Sequence, residues 1–325
     1  MKKLLIISLI VLTILNCKKT KSVGFVKCIL PINKDCIFIG KTNGLYFFNN
    51  DSLSAISDEY IHTILQKDDS TIWIATWNGL FETDIYKQGL KKVEFPDSTY
   101  MGLFKGYPII LKKIEGENTV YASTRLGVYA LKENESNWNL LTKNINSITY
   151  FEVHPSGVFV AITMDNKICI SNDYGTLWHR AKISIPLKSL SISGLAISKY
   201  NAIYVTTLSD YVLKTNWAGD EWEKIYEDLP DEYIDTILII EKNGVEEILV
   251  STNSTIYCSE DKGANWKDVD TNASLQAFLF IDELQGTLFG VSEIGYIYRL
   301  EDNDKGWEML YEPNVEEFYK AFDNL

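Results

Sequence analysis

One frame, apolar-x-apolar-x-Thr/Ser followed by a turn and a second apolar run, recurs seven times along the 325-residue chain and limits its fold more than any other feature. It reads IFIGKTNGLYF from Ile37, IWIATWNGLFE from Ile72, VYASTRLGVYA from Val120 and VFVAITMDNKI from Val158. It continues as IYVTTLSDYVL from Ile203, ILVSTNSTIYC from Ile248 and LFGVSEIGYIY from Leu288. The spacings are 35, 48, 38, 45, 45 and 40 residues, the period range of propeller blades. Two-fold alternation, β-branched and aromatic residues and bounding turn residues make each run a strand.

Each frame is preceded by another apolar run, such as GFVKCIL, ITYFEV, SGLAIS or AFLFI, and followed by further strands, YVLKT and WEKIY in the fifth unit. The expected fold is therefore all-β, a seven-bladed β-propeller of four-stranded antiparallel blades over residues 24–312. An open solenoid is the rival, and full-length first and last copies favour a closed ring. The chain starts on an inner strand and ends on an outer one, so no blade is shared between the termini to latch that ring. Residues 313–325 are expected to form a short helix. Asn314 and Glu317 make a capping box before VEEFYKAF, and Phe318 with Phe322 gives an apolar face that would dock on the last blade.

Between the third and fourth strands of unit four stands SNDYGTLW (171–178), and at the same place in unit six stands SEDKGANW (259–266). The shared residues are Ser171, Asp173, Gly175 and Trp178, and Ser259, Asp261, Gly263 and Trp266. The Asp carboxylate can accept backbone N–H groups across the turn, Gly supplies positive φ, and Trp opens the outer strand with a large packing surface. Degraded copies occur at 131–138, 215–222 and 300–307. These frames resemble the Asp-box, or BNR repeat, of sialidases, sortilin-type receptors, some endoglucanases and the photosystem II assembly factor family. TNGLYFF and TWNGLFE in the first two units resemble the propeller repeats of bacterial two-component sensor proteins. The Asp-box resemblance implies a structural turn on the blade edge away from the ligand face.

Lys2 and Lys3, the apolar run from Leu4 to Leu15 and Cys17 resemble a bacterial lipoprotein signal. Residues 1–16 would be the signal peptide, and 17–23 the lipidated Cys17 with a short tether, placing the protein on a membrane of the cell envelope. An uncleaved anchor or an ordinary secretory signal is the alternative. The formal charge is −13, and loss of Lys2 and Lys3 makes it −15, which disfavours a nucleic-acid partner.

Cys28, Cys36, Cys169 and Cys258 lack metal-ligand spacing, and His62, His154 and His179 are scattered, so no metal or cofactor is expected. A sialidase needs three arginines converging on a carboxylate. Arg125, Arg180 and Arg299, the only three present, fall at unlike positions of their units. A glycan-active hydrolase of the endoglucanase type needs two carboxylates, and Asp165 and Asp210 share the seventh position after the frame start. Packed sheets lie about 10 Å apart, near the upper end of the ~6.5–9.5 Å used by inverting glycosidases. Four units carry Gly at that position, however, and Asp is a common turn alternative. The favoured reading is a non-catalytic, membrane-anchored propeller that binds a protein or a glycan on its loop face.

Within the frame, the fifth position after the start varies most: Thr42, Trp77, Arg125, Thr163, Leu208, Asn253 and Glu293. Trp77 and Arg125 are neighbours around the ring, and the longest insertion, Pro96 to Pro108, would emerge beside them. Tyr100, Phe104 and Lys105 would then complete an aromatic and basic binding sector. The alternative is that Trp77 packs against this insertion and Arg125 pairs with a surface acid.

Overall fold

The computed structural model describes residues 24–313, apart from 87–88, 97–98, 101–103, 106–107, 115, 134, 184–190, 209–210, 228–232, 253–254, 270–277, 293–294 and 302–305. Cys17, the expected C-terminal helix, Asp210, Asn253 and Glu293 lie outside the described residues. Seven four-stranded antiparallel sheets form a β-propeller, with strands in sequence order inside each blade. No helix occurs among the described residues. The inner strands are Val26–Asn33, Ile61–Gln66, Pro108–Lys113, Ile148–Val153, Ile192–Ser198, Ile234–Lys242 and Phe278–Leu284. Each touches the next around the axis, and the last touches the first. The ring is closed.

Among the described residues the core divides into seven clusters, one at each seam between adjacent blades. The second strand of blade two shows how the frame builds them. Ile72 and Ile74 point into the seam with blade one, while Trp73 and Ala75 point into the seam with blade three. A strand buried on both faces reads as a continuous apolar run. Each fully buried Ile or Phe contributes about 1.5–3 kcal/mol, so every blade is held mainly by its two neighbours.

The strand register corrects one frame. Thr76 pairs with Ile61, the first residue of its inner strand, and Thr163 pairs likewise with Ile148. The residue of blade four equivalent to Ile72 is therefore Phe159, not Val158, and the fifth position after the frame start is Met164, not Thr163. The physical reason is that Val158, Phe159, Val160, Ala161 and Ile162 are all buried, so parity is invisible in that strand.

The seam between blades seven and one closes without a shared blade. Val26, Ile29, Ile37, Ile39 and Phe48 pack against Phe289, Val291 and Ile297, and the Phe48 and Tyr311 rings meet edge-on at 6.1 Å. Arg299 pins the rim. Its Nη1 donates to the Lys34 carbonyl at 3.0 Å and approaches Asp35 at 3.3 Å, while Nη2 holds Glu308 of its own blade at 2.7 Å. Lys34 returns an ion pair to Glu301 at 3.1 Å.

Candidate functional site

In blades two to seven the frame ends in Thr or Ser, where blade one has Lys41, and this hydroxyl bonds into the turn that follows. Thr76 Oγ1 donates to the Gly79 carbonyl (3.1 Å) and accepts from Asn78 N–H (3.0 Å). Thr124 does the same with Gly127 (3.0 Å) and Leu126 (2.9 Å), and Thr252 with Thr255 (2.9 and 3.1 Å). These hydroxyls are buried or nearly so, and the bonds they make force the next residue out to solvent. Trp77 is 56% exposed, Met164 74% and Leu208 42%, and Arg125 is exposed as well. Their backbones are tied down: Trp77, Met164 and Leu208 donate N–H to the carbonyls of Tyr60 (3.4 Å), Ser147 (2.8 Å) and Ser191 (2.8 Å), just ahead of the inner strands. In blades two to five a rigid scaffold thus presents one variable, exposed residue per blade at one face.

A second variable position lies beside the first. All seven inner strands break register at the same place, one residue after they begin. The residues at these bulges are Lys27, His62, Ile109, Thr149, Ser193, Asp235 and Leu279. A bulge frees its residue from the ladder and re-aims it, and these bulges lie at the strand ends that carry the exposed turns. Tyr60, His62 and Trp77 cluster there, with ring centroids 5.0 Å (Tyr60–His62), 5.3 Å (Tyr60–Trp77) and 6.1 Å (His62–Trp77) apart. The His62 and Trp77 rings are stacked at 13°. Burial, then the charges of Lys27 and Arg125, push the His62 imidazole down to about 4, so it is neutral at physiological pH. Sequence reasoning found Trp77 and Arg125 but missed Lys27, Tyr60 and His62. The signal was there: one changeable residue, K, H, I, T, S, D or L, at the second position of seven otherwise apolar strand starts.

The insertion after blade two contains a two-stranded hairpin, Thr99–Tyr100 with Phe104–Lys105, in which Tyr100 and Phe104 are backbone partners, as are Thr99 and Lys105.

The Ser-x-Asp-x-Gly-x-x-Trp turns lie at the opposite end of the strands. Ser171 Oγ, fully buried, donates to Asp173 Oδ1 at 2.7 Å and accepts from Gly175 N–H at 2.9 Å. Asp173 Oδ1 accepts from the N–H of Leu177 (2.8 Å) and Thr176 (3.2 Å). Ser259, Asp261 and Gly263 repeat the pattern, and hydrogen bonds from the Asn265 side chain and backbone hold Asp261 down at about 2. The serine is therefore a second hub beside the carboxylate. Gly175 and Gly263 have φ +82° and +93°, and their missing Cβ also lets the neighbouring blade approach. A Cβ on Gly263 would lie 2.3 Å from Ile225 Cδ1 of blade five. Trp178 and Trp266 donate their indole N–H to the carbonyls of Gly175 (2.8 Å) and Gly263 (3.1 Å) and pack into the seam with the preceding blade. In the degraded copy of blade five Trp217 replaces the Asp, and Asn216 Oδ1 takes over the Gly219 N–H at 2.9 Å. The Thr215 hydroxyl, at the serine position, is left buried without a partner among the described residues.

The register also separates the two hydrolase candidates. Counted from Phe159, Asp165 stands at the sixth position, where blades one and two carry Asn43 and Asn78, and Asn166 takes the seventh. Asp165 is thus not the counterpart of Asp210. It accepts from Thr163 Oγ1 at 2.5 Å and pairs with Lys167 at 2.5 Å, which hold its carboxyl below the usual range. A general acid would need the opposite shift. The three arginines are dispersed: Arg125 on an exposed turn, Arg180 on an outer strand and Arg299 at the closing seam. No group of three metal-ligating side chains occurs among the described residues.

No family model matches the chain, and no curated protein matches it. Solved structures do. The extracellular domain of BT4673, a putative hybrid two-component system from B. thetaiotaomicron, superposes with TM-score 0.66 at 13% identity, covering 87% of this chain and 39% of that one. The chain thus spans about two fifths of that extracellular domain. YCF48 from Cyanidioschyzon merolae gives 0.65 at 13% identity over 87% and 97% of the two chains. A structure described as YCF48 bound to D1 peptide gives 0.68 at 14% over 88% and 94%. At such identities the likeness is one of fold.

Proposed function

We propose that this protein is a non-catalytic propeller of the bacterial cell envelope, held at a membrane by lipid on Cys17, that binds a protein partner on the face carrying Trp77, Arg125, Met164 and Leu208. The observation that supports the reading is that in blades two to five one frame position, following a buried threonine, presents a different and exposed side chain each time: Trp77, Arg125, Met164 and Leu208. Turn geometry requires none of that diversity, and rigidly held loop residues bind without a large ordering cost. Met164 and Leu208 favour a protein over a glycan, since large aliphatic side chains suit a protein interface core. The neighbours fit: one is the extracellular domain of a putative two-component system and another is described as bound to a peptide. Tyr100, Phe104 and Lys105 would extend the surface beside Trp77, and the Asp-box-like turns would serve architecture. The test is capture from a membrane extract with the Trp77→Ala, Arg125→Ala double variant as bait. Loss of a reproducible partner supports the assignment, and capture that survives in a folded variant moves the site elsewhere on the disc. In the same strain, Cys17→Ala should leave the detergent phase.

A further inference from the structure

The outermost strand of each blade ends its sheet, and an open sheet edge accepts a further strand unless short length, charge, Pro or a bulge blunts it. Most edges of this ring are blunted. Blades four and six end on two residues each, His179–Arg180 and Lys267–Asp268, and blade two on the three residues Lys91–Val93. The edge of blade five carries Glu223, Lys224 and Glu227, that of blade seven starts with Glu308, and that of blade three is four residues long. Blade one differs. Its outer strand, Ser52–Ser57, reads SLSAIS, six residues with neither charge nor Pro. The one irregularity is a bulge beside Ile56, so Ser52–Ala55 run in regular register. Among the described residues no strand pairs with the outer side of this one.

The edge is held firmly from within and acidic at both ends. Leu53 packs into the seam with blade seven and Ile56 into the seam with blade two, while Ser52, Ser54 and Ala55 are exposed. Asn50 and Asp51, at φ 45° and 68°, form a two-residue turn between the partners Asn49 and Ser52. Residues flanking such a turn are a hydrogen-bonded pair, and bonded pairs alternate along the ladder. Ser52 and Ser54 therefore bond to the third strand, and Leu53 and Ala55 turn their N–H and C=O outward. Asp51 and Asp58 bracket the edge, both exposed and without an ion-pair partner among the described residues. Seven extended residues place them about 23 Å apart.

We propose that the outer edge of blade one is a strand-addition site, separate from the Trp77 face, for an extended segment of another protein that is uncharged over about six residues and carries Lys or Arg at both ends. Main-chain bonds to Leu53 and Ala55 supply the attachment. Asp51 and Asp58 select the basic ends, and a chain of formal charge −13 attracts such a segment from a distance. The same carboxylates disfavour a second copy as the occupant, because antiparallel pairing of two such edges brings the acidic ends of one strand beside those of the other.

The probe is the acetylated and amidated peptide Lys-Lys-Thr-Val-Thr-Val-Thr-Val-Lys-Lys, with two controls: Glu in place of every Lys, and the Lys peptide N-methylated throughout its Thr-Val core. With the full chain at low salt, the Lys peptide should slow amide exchange within Ser52–Ser57. It should bind about tenfold better than the Glu peptide, as several exposed ion pairs gained in place of repulsions allow, and N-methylation should abolish binding. Ala55→Pro removes one outward N–H and no bond of the ladder, a change that edge strands tolerate. It should abolish the slowed exchange. The double variant Asp51→Lys, Asp58→Lys, on exposed positions, leaves every N–H in place and should reverse the preference towards the Glu peptide. Unchanged exchange at Ser52–Ser57 in the presence of the Lys peptide, equal binding of the Lys and Glu peptides, or a preference that survives the charge reversal overturns the proposal. A dimer of the free protein that Ala55→Pro dissolves also overturns it, and gives the edge to a second copy.

Discussion

The same frame position should answer a substitution with opposite signs in different blades. Ser171 and Ser259 are buried hydroxyls that each accept a glycine N–H, at 2.9 and 2.8 Å, and donate to the turn aspartate, at 2.7 and 2.9 Å. In Ser171→Ala or Ser259→Ala that buried N–H loses its acceptor, which costs about 1–3 kcal/mol. A loss near 2 kcal/mol is expected for each, or a thermal midpoint about 3 °C lower for a chain of this size. Thr215 occupies the same position in blade five, yet its hydroxyl is buried with no partner among the described residues because Asn216 serves Gly219. Thr215→Val keeps the shape and removes only the orphan, so it should be neutral or stabilise by up to about 1 kcal/mol. Urea unfolding of the three variants decides the matter, provided the slope is unchanged. Equal destabilisation at all three sites, or silence at the two serines, would refute the account of these turns.

At the closing seam, Arg299→Ala should cost about 1–2 kcal/mol, discounted for its partly exposed partners. Hydrogen exchange should quicken at the strands Val26–Asn33 and Ile297–Leu300 before it does elsewhere, and uniform quickening would contradict the clamp. His62 has its folded-state value, about 4, below the usual 6.5. Its contribution is thus complete above about 6.5 and is lost as pH falls towards 4, by at most about 3 kcal/mol. Asp282, pushed up to about 6 by burial, acts in the opposite direction over part of that window. The readout is therefore the difference between wild type and His62→Gln, which should shift in favour of the variant on acidification; a constant difference would show that His62 is not held neutral.

The fold was legible because four strands per unit and seven units leave few architectures, and because hydroxyl, glycine and tryptophan punctuate the turns. Parity in blade four was not, since a second strand buried in two seams carries no alternation. Aligning Thr163 with Thr76 would have resolved it, exchanging a buried Thr for the exposed Met164 and dissolving the apparent equivalence of Asp165 and Asp210. Trp77 and Arg125 stood out by type. Lys27 and His62 did not, because a bulge is a property of pairing between strands and leaves in sequence only one changeable residue in an apolar run. Closure itself was expected, but its manner was hidden for a related reason: Arg299 and the Lys34–Asp35 turn meet only once seven blades have come full circle.

The central claim is that the partner is met by the face of the second-to-third-strand turns and not by the face of the Asp-containing turns. A photo-reactive benzoyl-phenylalanine placed singly at 77, 164 and 208 on the first face, and at 86 and 177 on the second, measures this in intact cells. Tyr86 and Leu177 are exposed, so all five positions tolerate the probe. The expected result is one common adduct from 77, 164 and 208 and none from 86 or 177. Adducts from 86 and 177 with none from the first three positions would contradict the claim.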